Sequence, residues 1–419
     1  MIDIRRLREE PDAVGAALAR RGVGPAQLHR LLDLDAERRA LITSGDDLRA
    51  RQRQLGRQVG GAGPEDRPAL IEQTRAVSAR LGELEPAQDE IERRIAEILA
   101  AIPNLAHPDA PDGETEDDAV EVDRFGEPPV FDFPARDHVD IGEALGLIDI
   151  ARAVKVSGSR FAYLRGQAVL LELALVRYAL DRVMAAGFEP VVPPVLTRRE
   201  ALFGTAFLPT GEEQLYRIPS DDLYLVGTSE VPLAAMHSDE ILAADDLPIR
   251  YAGFSTCFRR EAGTYGKDTG GIFRVHQFDK VEMFSFVLPE ESWDEHERLR
   301  QIQCDLLHDL GLHGRVVDIA VGDLGASAAR KYDLEVWLPG QRAYRELTSA
   351  SNCTDYQARR LRCRYRTADG GTELVHTLNG TAVAVGRTII ALLETHQRAD
   401  GTVAVPEALQ PYLGTERIG

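Results

Sequence analysis

The chain has 419 residues, of which 44% are hydrophobic and 28% charged, and a formal net charge of −19. That length exceeds one small domain and supplies a sizeable core, and the negative field repels phosphate, so a nucleic-acid partner would need locally basic surface. Cys257, Cys304, Cys353 and Cys363 form no CxxC pair, and no run reaches the roughly 18 apolar residues of a membrane span; a cytoplasmic protein without disulfides, structural zinc or membrane partner is expected.

Two heptad runs occupy the first hundred residues: Leu34, Leu41, Leu48 and Leu55, then Leu70, Val77, Leu84, Ile91 and Ile98. A seven-residue repeat is what two helices sharing a coiled-coil seam require. Gly60-Gly61-Ala62-Gly63-Pro64 lies between them and favours a turn over helix, so residues 1–105 read as a domain built on an antiparallel helical hairpin. From Leu28 to Val59 the first helix spans about 48 Å at 1.5 Å per residue, and Pro86 predicts a kink or break in the second. Arg38, Arg39, Arg49, Arg51, Arg53 and Arg57 make the first arm basic. They suit either a solvated surface or contact with nucleic-acid phosphates. Residues 106–135, rich in Pro, Asp, Glu and Gly, read as an acidic linker with little core.

The second domain, residues 136–419, opens with a long helical stretch from Phe161 to Ala186 closed by Gly187. A strand from Phe188 to Val195, interrupted at Pro193-Pro194, comes next. Strand-like runs follow at Tyr224–Val226, Tyr251–Arg259, Phe273–Leu288, Arg315–Ala320 and Tyr332–Leu338, and a late helix at Ala382–His396. The alternation is irregular, so an α+β antiparallel sheet flanked by helices is expected. Tyr251 to Phe286 reads as a long hairpin with a Gly-rich loop, whose flanks carry Arg259, Glu261, Arg274, His276 and Glu282. Such charge in a sheet needs partners. A nucleotide supplies them, since guanidinium forks suit phosphate and aromatic faces suit a base; internal ion pairing is the alternative.

FRREAG followed by FRVHQFDKVEMF resembles motif 2 of the class II aminoacyl-tRNA synthetases in its seryl form. GFEPVVPP is similar to motif 1, with Pro193 or Pro194 as its proline, and LNGTAVAVGRTIIALLE to motif 3, with Arg387. GTSEVPL, from Gly227, resembles the family's serine-recognition loop, and RELTSASNCTDYQARR, from Arg345, its metal and ATP segment. The resemblance spans nearly the whole chain, with the segments in family order.

The resemblance implies a class II catalytic domain behind a tRNA-binding arm, activating L-serine with ATP and charging tRNA(Ser), with tRNA(Sec) left open. Arg259, Arg387 and Glu346 are implied as catalytic. Thr228, Ser229, Glu230, Glu282 and Thr381 are the implied serine contacts. For ATP the carry-over gives Arg259, Arg260, Glu261, Arg274, Val275 and Phe278, then Glu346, Leu347, Thr348, Ser349 and Arg387. Glu346 and Ser349 would hold Mg²⁺. A homodimer through motif 1 is also implied. The competing implication is a seryl-adenylate-forming paralogue that delivers serine to another acceptor. One departure stands out: Gly270-Gly271 replaces the Arg-Gly commonly found in the family's motif 2 loop, which touches the acceptor end of tRNA.

Overall fold

The computed structural model describes residues 1–263 and 270–419. Residues 264–269, the centre of the expected hairpin loop, lie outside the described residues. There are two compact units, one of Ile2–Leu105 and one of Ala106–Gly419 with Met1.

In the first unit, α1 (Pro25–Gly61) and α2 (Arg67–Ala101) pack along the heptad seam, which buries Leu34 and Leu55 against a stripe of Leu81, Ile91, Ile95 and Leu99. Pro25 starts α1 where a missing N–H costs nothing. The helix continues through Gly60 and Gly61, beyond the expected turn, and stops only at Ala62, whose backbone is extended. Once a long helix is nucleated, each added residue gains a hydrogen bond that offsets the roughly 1 kcal/mol penalty of glycine. Pro86 sits inside an unbroken α2. At Gly82, four residues before the proline, nothing lies within 4 Å of the position a Cβ would take.

The arginines of the arm divide into two groups. Asp35 is fully buried and pairs with Arg8 at 3.0 Å, Arg38 at 2.6 Å and Arg39 at 3.1 Å. A buried carboxylate needs such partners. Arg49 pairs with Asp46 and Arg51 with Gln54. Arg53 and Arg57 are exposed and have no acidic partner among the described residues.

The second unit is organised by an eight-stranded sheet. Its strands are β1 (Val120–Phe125), β2 (Glu189–Val191), β3 (Ile249–Phe258), β4 (Gln277–Val287), β5 (Gly314–Asp318), β6 (Arg330–Leu338), β7 (Ala343–Asn352) and β8 (His376–Ala384), in the order β1-β5-β6-β7-β8-β4-β3-β2. Every pair is antiparallel except β2 with β3. Part of the acidic 106–135 segment belongs to this sheet: β1 pairs with β5, and Ala106 and Ala110 pack on Val317 and Ile319. An edge strand held by backbone hydrogen bonds leaves Val120 and Val122 exposed, so composition does not announce it.

Three helices, α3 (Gln167–Ala185), α4 (Ser292–Asp309) and α5 (Val385–Thr395), flank the sheet. The core joins Leu171, Leu175 and Val183 of α3 to Val281 and Met283 of β4 and Ile389 of α5. The expected Phe161–Ala186 helix begins at Gln167 because Tyr163-Leu164 pairs with Ile148-Asp149 as a short ladder. Likewise, residues 382–384 end β8 before α5 starts.

Candidate active site

Strand periodicity builds the site. Along β4, alternate residues Phe278, Lys280 and Glu282 line one open cavity of about 450 Å³, while Val281 and Met283 are fully buried on the other side. Neighbouring β8 brings Asn379 and Thr381 to the same cavity and places Thr381 directly opposite Glu282. Helix α4 braces these strands from behind, with Gln303 Nε2 donating to the carbonyls of Ser349 and Thr381 at 2.7 and 2.9 Å.

One end of the cavity is rich in guanidinium groups. Arg259 donates from Nε to the Gly227 carbonyl at 3.1 Å and stands 5.3 Å from the centre of the Phe278 ring. His276 holds Arg259 from behind: its backbone carbonyl accepts the Arg259 N–H, and its ring contacts the Arg259 carbonyl. Arg274 pairs with Glu261 at 2.8 Å, and Glu261 takes a left-handed φ of 51°, uncommon outside glycine. Arg387, on the first turn of α5, donates to the Glu346 carbonyl at 2.8 Å and its carboxylate at 3.2 Å. Phe273 lies between Arg345 and Arg387, 3.9 and 4.6 Å from their guanidinium carbons. Burial pushes the Glu346 carboxyl up, but Arg387, Lys331 and Arg259 outweigh it and hold it down at about 2, so it is an anion at neutral pH.

The other end is acidic and hydroxylic. Thr381 donates to Glu282 Oε2 at 2.9 Å. Lys280 Nζ lies 2.6 Å from the same oxygen and 2.8 Å from Thr228 Oγ1. Glu230 accepts from Gln357 at 2.7 Å and Asn379 at 3.2 Å through Oε1. Burial, with the nearby negative charge of Glu282, pushes the Glu230 carboxyl up to about 7.

The cavity thus gathers Arg259, Glu261, Arg274, Val275, Phe278 and Arg387 at one end and Thr228, Glu230, Glu282 and Thr381 at the other, with Glu346, Leu347 and Ser349 of β7 on its wall. Ser229, Arg260 and Thr348 do not line it. Ser229 is fully buried and bonded to the Gly253 carbonyl, Arg260 is exposed with its N–H on the Gln214 carbonyl, and Thr348 is buried. Sequence reasoning missed Lys280, Asn379, Phe273, Gln357 and Lys331. For Lys280 and Asn379 a signal existed, because each lies two residues from an assigned neighbour on the same strand face.

Gly271 anchors the return from the loop. Its φ is +73°, and a Cβ there would lie 2.0 Å from His138 Nε2. That nitrogen accepts the Ile272 N–H at 3.3 Å, so the ring proton is on Nδ1, facing buried Glu394 at 3.1 Å. Gly271→Ala is therefore expected to destabilise the protein by about 2–4 kcal/mol, through the left-handed backbone and the displaced His138 contact, read as a lower midpoint in chemical denaturation. Gly270 has nothing within 4 Å of its Cβ position, and a side chain there meets no steric bar.

The family model "Seryl-tRNA synthetase N-terminal domain" matches residues 1–106, and that of the "tRNA synthetase class II core domain (G, H, P, S and T)" matches residues 215–396. Over 416 residues the chain is 52% identical to the serine–tRNA ligase of Rhodococcus opacus (strain B4), covering 99% of both. It is similar in structure to the seryl-tRNA synthetase of Pyrococcus horikoshii complexed with ATP, with TM-score 0.95 and 43% identity over 100% of this chain and 99% of that one. It is also similar to the cytoplasmic serine–tRNA ligase of Naegleria fowleri in complex with AMP, with TM-score 0.90 and 34% identity over 100% and 98% of the chains.

Proposed function

Because the chain belongs to the seryl-tRNA synthetase family, we propose that it activates L-serine with ATP to seryl-adenylate and transfers serine to tRNA(Ser). The observation that carries this reading is a single cavity with a guanidinium and aromatic end for a nucleotide and a carboxylate and hydroxyl end for a small amino acid. A serine carboxylate oxygen attacks the α-phosphorus, and the bond to the bridging oxygen breaks as pyrophosphate leaves. The nucleophile is already ionised, so the task is alignment and charge neutralisation rather than proton removal. Arg259, at the guanidinium end, bridges the α-phosphate and the incoming carboxylate. Arg274 and Arg387 take the distal phosphates, Phe278 stacks on adenine, and Glu261 accepts from its amino group. A terminal ribose hydroxyl of the tRNA then attacks the carbonyl carbon and AMP departs.

The donor set fits Mg²⁺. The ionised Glu346 carboxylate and Ser349 offer hard oxygens on the cavity wall, and no group of three or more His, Cys, Asp or Glu suited to a metal occurs among the described residues. Mg²⁺ commonly relies on one or two protein oxygens plus phosphates and water. When bound, it would neutralise phosphate charge.

A homodimer is supported by α3, where Val169, Leu170 and Leu173 are 41, 54 and 60% exposed on one apolar face. The cytoplasm, where tRNA is charged, is its proposed compartment. Delivery of serine to an acceptor other than tRNA is the second reading. The match of residues 1–106 to the family's N-terminal domain favours tRNA. Pyrophosphate exchange with each of the twenty amino acids tests the activation step: serine alone is expected to drive it strongly, and a different preferred amino acid, or none, overturns the reading.

A further inference from the structure

The serine end of the cavity contains a cation as well as carboxylates. Lys280 is only 7% exposed, and burying an ammonium is unfavourable unless it is paired and hydrogen-bonded. It meets that condition by bridging Glu282 Oε2 at 2.6 Å and Thr228 Oγ1 at 2.8 Å. Since Thr381 also donates to Oε2, that oxygen is fully engaged. Glu282 Oε1 has no hydrogen-bond partner among the described residues. The same holds for Glu230 Oε2, because Gln357 and Asn379 both reach Oε1. Two carboxylates and one ammonium leave this end of the cavity with one net negative charge when both acids are ionised.

We infer that Lys280 is a positioning and specificity residue: its built-in ammonium neutralises one pocket carboxylate and turns Glu282 so that the site accepts one further ammonium and no second. The inference rests on the serine-activation reading and goes beyond it by naming what the pocket refuses. Serine brings one ammonium and one neutral hydroxyl. Its isostere 2,3-diaminopropionate places an amine where serine has the hydroxyl, and in its dicationic form it would put two ammonium groups beside a pocket that already holds one. Repulsion among like charges in a desolvated site is strong. With Lys280 removed, the two carboxylates match two ammonium groups, and the order of preference shifts.

Lys280→Met, which keeps an unbranched apolar stem, provides the test by steady-state pyrophosphate exchange with serine and with 2,3-diaminopropionate. Expected is a fall of about 10–100-fold in kcat/KM for serine, the size of one lost charged hydrogen bond, with the KM for ATP within about twofold. The preference for serine over 2,3-diaminopropionate is expected to narrow by at least about tenfold. Lys280→Arg, retaining the charge, is expected to restore most of that discrimination. A purely structural lysine would lower both substrates together with the thermal midpoint and would not favour the diamine. The inference fails if Lys280→Met keeps the wild-type serine KM, or if its loss is equal for both amino acids. Should Lys280→Met not fold, Lys280→Gln and Lys280→Arg carry the comparison: the diamine must gain on serine in the neutral variant and not in the charged one. If wild-type protein shows no serine-dependent exchange, it is the serine reading that falls.

Discussion

Arg259→Lys is expected to lower serine-dependent pyrophosphate exchange by about 10²–10³-fold, the range for removing one preorganised donor from a developing anion, with the unfolding midpoint little changed. The guanidinium is fixed at three points. Its Nε is tethered to the Gly227 carbonyl, its central carbon stands 5.3 Å from the centre of the Phe278 ring, and its backbone is clamped on both sides by His276. With Nε committed, the two terminal nitrogens are left to span adjacent oxygens of phosphate and carboxylate. Lysine keeps the charge but has no Nε for the tether and no planar fork. Positional precision is what the substitution removes. Near-normal exchange by a folded Arg259→Lys protein would take this residue out of the reaction.

How much of this was legible depended on whether a residue's reason for being there was periodic. The arm was readable because its seam repeats every seven residues, although the buried Leu81 and Ile95 belong to a second register, and the buried Leu99 to neither. The 18-residue helix α4 was not readable. Its buried face mixes Glu295, His296 and Gln303 with Leu299, Cys304, Leu306 and Leu307, so the apolar stripe is interrupted by polar residues. Those residues serve partners distant in sequence: Glu295 pairs with Arg250 and accepts from Ser285, His296 meets the Ala350 carbonyl, and Gln303 meets Ser349 and Thr381. The charges of the hairpin did signal a need for partners. The site meets that need partly within itself, through Arg274 with Glu261 and Arg387 with Glu346. Lys280 stayed hidden for another reason. The motif resemblance gives roles to Phe278 and Glu282 and none to the lysine between them on the same strand face.

Replacing residues 28–100 with a short linker is expected to leave serine-dependent exchange within about threefold of wild type while lowering tRNA charging by at least about 100-fold. The first half of the prediction rests on autonomy. Residues 2–105 form a compact unit of their own, and α1 and α2 bury their seam against each other. The cavity is lined wholly by residues of the other unit, from Thr205 to Arg387. The second half rests on charge. In a protein of net charge −19, a polyanion needs a local cationic landing place. Arg38 and Arg39 are committed to Asp35, whereas Arg53 and Arg57, on the distal half of α1, are exposed and have no acidic partner among the described residues. Phosphate contacts release counterions, so affinity falls steeply with salt, with a slope of about −0.7 to −0.9 per phosphate neutralised. Intact protein should therefore lose tRNA affinity between low and moderate salt, and Arg53→Glu with Arg57→Glu should flatten that slope by about two phosphates' worth while exchange stays unchanged. The truncated form should bind tRNA weakly at either salt concentration. Undiminished charging of tRNA by the folded, arm-less protein would overturn the role proposed for this unit and leave α1 and α2 as a solvated structural hairpin.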